Sequence, residues 1–585
     1  MVGYLHDPLQ IINLIADNLR DRYKSGFPVL KEIIQNADDA GLGDEKIQIE
    51  FGLSQGLKDA QHPLLKGPAL FFINNGIFRK EDYIAIRSFG LNRKAIEQSS
   101  IGKFGLGMKS VFHFCEAFFF LAQNQDKEYE VILNPWSGSD EFNSFHDDWN
   151  TFDSSDAQMM RQHLQPVLKK MNRAAGSYFL LWLPLRKKQH LIVNDTKVGS
   201  IISEFPGDNE GLLTFLFQTE LAQNTASLLP LLRRITGIRL WDMDNEAREF
   251  KTRFQVLLRK DATRVSLPEN ISSPQTIEGS IGYIYKSQNP VQYAYTYSGR
   301  ESLLNSPALL SLKQSEFWPR SFVRDDHGES RQAPDKAQGH CAVVFSRSNE
   351  KQIGSLKIRW AVFLPVEAGK EDVSCDGDSC FRMTLHGYFF VDAGRVDIEG
   401  LQEDMDPGRI PSTPENELEL RQIWNTRLAE EGTIPLVIPS LVDFQKKARL
   451  SIADFEHLCY GLKNSKFFRQ YRQSVCNQTS LVCCLTKEKS VWRQVPKETD
   501  MLPLPGPPSN TPSRPWEIFP ELEGFEEKGI HLVLRESEAP HLHDRPIPQW
   551  DENALLDLFH IDEQAVFSNQ VHLNYLITFL TDPGI

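Results

Sequence analysis

Three short segments hold residue types that could do chemistry. In Leu30-Lys31-Glu32-Ile33-Ile34-Gln35-Asn36-Ala37-Asp38-Asp39-Ala40, the residues Glu32, Asn36 and Asp39 stand at i, i+4 and i+7. On a helix that spacing puts them on one face, while Leu30, Ile33, Ile34 and Ala37 lie largely on the other side and supply burial. A carboxylate there can take a proton from an attacking water. A carboxamide oxygen one turn further on is a hard ligand of the kind that Mg²⁺ takes beside water and phosphate. Taken alone, the segment reads first as an amphipathic helix with a solvated polar face.

The second segment, Phe72-Ile73-Asn74-Asn75-Gly76-Ile77-Phe78, is an apolar strand ending in two amides and a glycine. Alone it reads as a strand and an ordinary turn. The third, Ile101-Gly102-Lys103-Phe104-Gly105-Leu106-Gly107-Met108-Lys109-Ser110, spaces three glycines as G-x-x-G-x-G at the start of a predicted helix. Glycine lets backbone N–H groups approach phosphate closely, and a helix N-terminus adds unpaired donors and a favourable dipole. This is not a Walker loop, because Met108 separates Gly107 from Lys109-Ser110 and the upstream RKAIEQSS is polar where a buried strand is needed. A dinucleotide fingerprint fails for the same missing strand.

The elements that must position these segments are legible as periodicity. Helices are expected over 8–23, over Pro28 to Ala40, over 80–90 and from Met108 to about Phe118; strands are expected at 47–53, 69–75, 128–134 and 177–186. Residues 1–190 therefore read as an α+β layer domain with helices over a mixed or antiparallel sheet. A helical connector and first strands follow over 191–270. A mainly stranded middle region with helices at 415–448 occupies 271–448, and LKIRWAVFLPV (356–366) and MTLHGYFFVD (383–392) are its clearest strands. Residues 449–585 form a C-terminal region. The proline-rich stretch 496–520 within it suits a linker or ordered loop and neither a helix nor a central strand.

Composition sets the outer bounds. The 585 residues are about three to five domains' worth of chain, and 41% hydrophobic with 24% charged residues is ordinary for a globular protein. The net charge of −14, from 64 basic and 78 acidic residues, argues against bulk attraction to nucleic acid. The basic residues around the glycines, Arg79, Lys80, Arg87, Arg93, Lys94, Lys103 and Lys109, suit the flanks of an anionic ligand better than a nucleic-acid patch. The N-terminal segment lacks the pattern of a secretory leader, and no run approaches the roughly 18 apolar residues of a membrane span. Eight scattered cysteines read as reduced thiols, so a cytoplasmic location without membrane attachment is expected. Cys375, Cys380 and His386 do not follow a zinc spacing.

Order, spacing and chemistry of the three segments together resemble the GHKL superfamily of ATPases, which includes gyrase, the ninety-kilodalton heat-shock chaperones, histidine kinases and MutL. The resemblance implies a Bergerat-type ATP-binding α/β sandwich, then a second α/β transducer-like domain and a small C-terminal region. It implies ATP and Mg²⁺ as cofactors, Glu32 as general base, Asn36 as the metal ligand and Asp39 as a supporting polar residue. It places Gly76 on the adenine side, and it gives Gly102, Gly105 and Gly107, with Lys103 among them, to the phosphates. Residues 79–101 would be the lid, and Ser177 would help hold adenine through water. The superfamily usually has Asp where this chain has Asn74; Asn still accepts through its carbonyl oxygen but is neutral.

That difference, with "LKEIIQNADDAG", "IGKFGLGMKSVFH", "LHGYFFVDAGRVDI" and "IWNTRLAEEGTIPLVIPSLVDF" in order, resembles the sacsin-type branch. The likeness runs strongly over 5–190 and more thinly to about 445. Arg395 falls where a middle domain would offer a cation to the γ-phosphate. An ordinary surface arginine after a strand fits that position equally. The function implied is slow Mg²⁺-dependent ATP hydrolysis that closes the lid and drives a chaperone-like or motor-like switch, with a protein client and a homodimer as fitting partners. The alternative is a nucleotide-regulated binding module with little turnover in a larger assembly, such as bacterial defence or nucleic-acid processing.

Overall fold

The computed structural model describes residues 8–545 except 22–26, 41–45, 88–106, 125–126, 139–145, 172–176, 194–195, 198, 209–218, 245–248, 267–270, 287–289, 321, 325–329, 333–336, 367–368, 393–396, 402–412, 487–488, 505–528 and 537–538. Helices α1 (Pro8–Asp21) and α2 (Phe27–Ala40) lead into β1 (Ile47–Ser54) and β2 (Ala69–Asn74). Then come α3 (Lys80–Arg87), β3 (Phe118–Gln123), β4 (Glu128–Leu133), α4 (Ser154–His163), α5 (Gln165–Lys170) and β5 (Tyr178–Pro184). All of β1, β2, β3 and β5 is buried or nearly so, which matches near-continuous apolar runs covered on both faces.

Register decides which side chains share a face. Ile49 pairs with Asn74 and Phe51 with Phe72; Phe72 pairs in turn with Leu181, Asn74 with Phe179, and Phe120 with Leu181. These residues therefore point to one side. On that side α2 packs against β1 and the 3-10 turn Gly107–His113. Phe112 of that turn meets Phe118, and Phe78 stacks on Phe179 at 5.0 Å. The opposite face carries Phe119 against Phe152 and Trp182 against His163 of α4. The sheet is thus the middle layer, and the first two helices lie over the face to which Asn74 belongs.

A short hairpin of β6 (Ile192–Val193) and β7 (Thr196–Lys197) and helix α6 (Thr219–Leu228) precede β8 (Ile235–Asp244) and β9 (Glu249–Leu258). Strand β8 lies parallel to β1, on the edge of β1 away from β2. The long strands β10 (Gln275–Lys286) and β11 (Pro290–Leu303) extend the sheet. Helix α7 (Pro307–Lys313) and the small pair β12 (Phe322–Arg324) and β13 (Ser330–Gln332) follow. Next come β14 (His340–Ser348), β15 (Ser355–Val362), β16 (Leu364–Pro365), β17 (Glu371–Ser374) and β18 (Cys380–Gly387). One sheet of 14 strands results, in the order β16-β15-β18-β14-β11-β10-β9-β8-β1-β2-β5-β3-β4 with β17 on β15.

The second core is helical on one side. Helices α8 (Glu417–Arg427), α9 (Val437–Ala448), α10 (Ile452–Asn464) and α11 (Lys466–Val475) bury Trp424, Leu441, Phe444, Phe455 and Leu458 against Val343, Phe345, Leu356 and Met383 of the sheet. Strands β19 (Thr479–Leu485), β20 (Ser490–Pro496), β21 (Asp500–Leu504) and β22 (Ile530–Leu534) form a separate sheet in the order β20-β19-β22-β21. Pro503 sits on the edge strand of that sheet, where a residue without an N–H is tolerated.

The α+β class expected from the sequence is the class observed. Three local expectations change. The helix expected from Met108 to about Phe118 is a 3-10 turn that stops at His113, because Phe118, Phe119 and Phe120 are wholly buried in a strand paired on both edges. The strand over 356–366 breaks at Phe363, whose φ of +61° lies in the left-handed region. The helix through LAEEG loosens into a π turn at Leu428–Thr433. No helix among the described residues is long and apolar enough to cross a membrane.

Candidate functional site

From Val29 onward α2 is buried on almost every side. Lys31, Gln35, Asp38 and Asp39 are buried with the apolar residues, while Glu32, Asn36 and Ala40 are only half-buried. These three stand at i, i+4 and i+8, so the partly open positions form one stripe along the helix. The stripe carries a carboxylate and a carboxamide one turn apart. It ends at Ala40, and a Cβ added to Gly76 would lie 2.8 Å from the Ala40 Cβ. Gly76 is therefore what lets the turn after β2 touch the end of this helix.

That turn is held by its own amides. The carbonyl oxygen of Asn74 accepts the Gly76 N–H at 3.0 Å, an Asx turn. The carbonyl oxygen of Asn75 accepts the Gln48 N–H at 2.8 Å, and its amide donates to the Lys46 carbonyl at 3.1 Å. Asn75 thus fixes the turn to the start of β1. Ser177 is buried just before β5, and Phe179, two residues on, pairs with Asn74. Asn74, Gly76 and Ser177 consequently lie at one end of the sheet, and Ala40, the last residue of the stripe, meets Gly76 there. Gly107 opens the 3-10 turn packed on α2. Gly102, Lys103, Gly105 and Arg395 lie outside the described residues, as does the greater part of the expected lid.

Asp39 is turned away from the stripe. Its carboxylate takes the Arg233 guanidinium at 2.7 Å. Its neighbour Asp38, fully buried, accepts the backbone N–H groups of Arg233, Arg234 and Ile235 at 3.1, 2.7 and 3.0 Å. The two carboxylates thereby cap the entry to β8 and fix α2 to the sheet. At the other end of the helix, Lys31 Nζ donates to the Pro365 carbonyl at 2.9 Å. None of these three partnerships is visible from spacing, since the partners lie nearly 200 residues or more apart. The only trace in the sequence is an Asp-Asp doublet in a helix otherwise rich in apolar residues.

Two further groups flank the site. Lys109 is buried and donates to the Ile86 carbonyl at 2.5 Å, tying the 3-10 turn to the last turn of α3, where a cation is favoured. Burial pushes its ammonium down to about 8. His113 is buried in the same turn, and its carbonyl accepts from Arg186. Arg186 also pairs with Glu116, whose other oxygen accepts the Trp136 N–H at 3.1 Å. Burial raises the Glu116 carboxyl above its usual range, against the lowering effect of Arg186. This wholly buried pair supports the 3-10 turn from behind. In the second unit His386 Nδ1 accepts the Phe363 N–H at 3.1 Å, and Cys380 contacts Ser355. No cluster of three or more metal-ligating His, Cys, Asp or Glu side chains occurs among the described residues.

Residues 10–255, the layered α+β unit with this polar end, match the family described as Sacsin domain. The match takes in most of α1 through most of β9 and contains Glu32, Asn36, Asp39, Asn74, Gly76, Gly107 and Ser177. Among known proteins, human sacsin is similar to this chain. The two are 36% identical over 106 residues, which is 18% of this chain. The matched stretch spans 2% of the length of human sacsin.

Proposed function

We propose that the N-terminal unit binds ATP with Mg²⁺ and hydrolyses it slowly, and that nucleotide state sets the posture of the second unit in a chaperone-related switch. The observation that carries this reading is the half-open stripe of Glu32, Asn36 and Ala40, which ends against Gly76 beside Asn74. A carboxylate and a carboxamide one turn apart on that stripe, with the Asn74 amide beside the glycine at its end, support the reading. The sacsin-type match over the same residues supports it.

The donor set suits the cofactor. Glu32 and Asn36 offer only oxygen and amide groups, which fit a hard cation that keeps most of its waters. Asn36 would hold Mg²⁺, whose chemistry when bound is to neutralise the charge on the phosphates. Glu32 would take the proton of the attacking water. Asn74 already accepts the Gly76 N–H, so its second lone pair and its amide hydrogens would meet the adenine edge, with Ser177 assisting. Gly102, Lys103, Gly105 and Gly107 would cradle the phosphates through backbone N–H groups. Arg395 would offer a cation from the second unit. A protein client, a homodimer and a cytoplasmic setting fit the same reading.

The test is nucleotide binding and turnover in wild type, Glu32→Ala and Asn36→Ala. Glu32→Ala should bind Mg·ATP as wild type does and lose turnover by about 10²-fold or more. Asn36→Ala should bind poorly in the presence of Mg²⁺. Tight binding without turnover in wild type would favour a nucleotide-regulated binding module. No binding of ATP by wild type would refute both.

A further inference from the structure

Helix α2 is held to the second unit at both ends of its functional stripe. Near its start, Lys31 reaches the carbonyl of Pro365. Near its end, Arg233 does two things at once. Its Nη2 meets the Asp39 carboxylate at 2.7 Å and its Nε lies 3.5 Å from the Asp38 carboxylate, while its guanidinium carbon lies 5.9 Å from the centre of the Phe363 ring. The Arg233 side chain is only 7% exposed, so these contacts are not solvent encounters.

Phe363 is the other half of the junction. It is one of two described non-glycine residues with positive φ, a conformation that persists only where the surroundings impose it. Its N–H is held by His386, and its ring packs 4.8 Å from His386 and 5.0 Å from Tyr388. Pro365, the acceptor of Lys31, lies two residues further on. Glu32 and Asn36 thus lie between two ties to the same short turn of the second unit.

We propose that Arg233 is a positioning residue for the site, clamping the Asp38-Asp39 end of α2 to the Phe363 turn and so holding Glu32 and Asn36 in place against the second unit. The proposal rests on the nucleotide reading for its catalytic consequence, but the clamp itself does not. Only arginine fits the role. A planar fork reaches two carboxylates while its face lies on a ring; a lysine ammonium serves one carboxylate and does not stack.

The experiment has two arms. In the first, hydrogen exchange of the peptide spanning 361–366 is followed in Asp39→Ala, Arg233→Ala and the double variant. The clamp predicts that Asp39→Ala speeds exchange of this peptide at least threefold when Arg233 is present and adds nothing when Arg233 is alanine. Equal effects in both backgrounds, or no effect, overturn it. In the second arm, Arg233→Lys and Arg233→Ala are assayed with Mg·ATP. Binding within threefold of wild type with turnover at least tenfold slower supports the positioning role, because small misplacement of reacting groups is costly in rate. Unchanged turnover, or binding and turnover falling together with the melting temperature, refutes it. If wild type binds no ATP, the nucleotide reading fails and the exchange arm still decides the clamp. Arg233→Lys keeps the test open should Arg233→Ala fail to fold.

Discussion

Replacing Asp38 by alanine removes, in one step, the acceptor of three backbone N–H groups and the partner of a buried guanidinium. The three amides do not lose equally. Ile235 is wholly buried, so its N–H becomes an orphan and costs about 1–3 kcal/mol. Arg233 and Arg234 are half-buried, and water can partly replace the lost acceptor, at about 1 kcal/mol each. Together with the weakened pairing of Arg233, the loss comes to about 4 kcal/mol, within the range for breaking a buried pair. At roughly 2–4 °C per kcal/mol for a unit of this size, the N-terminal unit should melt roughly 8–16 °C lower. Asp38→Asn keeps one carbonyl oxygen that can serve two of the three amides, so it should cost about 1–2 kcal/mol. The assay is a thermal melt with hydrogen exchange to assign the transition to residues 10–255. A melting temperature within 2 °C of wild type for Asp38→Ala, or equal losses for the two variants, would refute the reasoning.

The other expectations concern pH, packing and thiols. His146 is fully buried and stacked on Trp149 at 3.6 Å, its ring nitrogens have no hydrogen-bond partner among the described residues, and burial pushes it down to about 4. His541 is held at about 4, also by burial, and its Nδ1 accepts the Cys483 N–H, which protonation would break. The unfolded chain therefore binds more protons than the folded one between about 4 and 6.5. The stability from these two is complete above pH 6.5 and falls as pH drops toward 4, by up to about 3 kcal/mol each. Flat stability between pH 7 and pH 4.5 in a denaturant series would contradict this. Gly76→Ala pushes a methyl to 2.8 Å from the Ala40 Cβ and 3.0 Å from the Asn74 oxygen, so it should destabilise by about 1–3 kcal/mol and weaken nucleotide binding, checked by melting and by titration with ATP. All eight cysteines are free thiols and only Cys380 is partly exposed, while burial raises Cys375 and Cys484 to about 11. One thiol should therefore react rapidly with a disulfide reagent in the native protein and seven only on unfolding; rapid labelling of several would count against this packing.

The helix over Pro28 to Ala40 and the strands at 47–53, 69–75, 128–134 and 177–186 were legible because each has a clear period or an unbroken apolar run. The stripe of Glu32 and Asn36 followed from helical spacing alone. Asp39 shows the limit of that argument. Spacing put it on the stripe with them, but a cation 194 residues away turns it aside. Nothing in the sequence distinguishes Asp38, because a fully buried carboxylate is stabilised only by partners that the fold brings to it. Phe363 was invisible for a similar reason, since nothing in an apolar run marks a residue forced to positive φ. The segment after the glycines misled in the opposite sense. Its Phe-rich stretch has no period to separate helix from buried strand, and pairing with β5 and β4 on its two edges decides the outcome.

The single sheet also has a mechanical consequence. Neighbouring strands lie about 4.8 Å apart and turn by about 20–25° at each step. Laid flat, the path from β16 to β1 would span roughly 38 Å. Lys31 of α2, which packs on β1, nevertheless meets Pro365 of β16, and Leu364 shares a core with Ile49 and Phe51. The sheet therefore curls back on itself, and its two regions are joined twice, once through the backbone ladder and once through side chains across the curl. A change of angle at one strand pair is opposed at those closing contacts, so it is best sought by distances measured between β16 and β1.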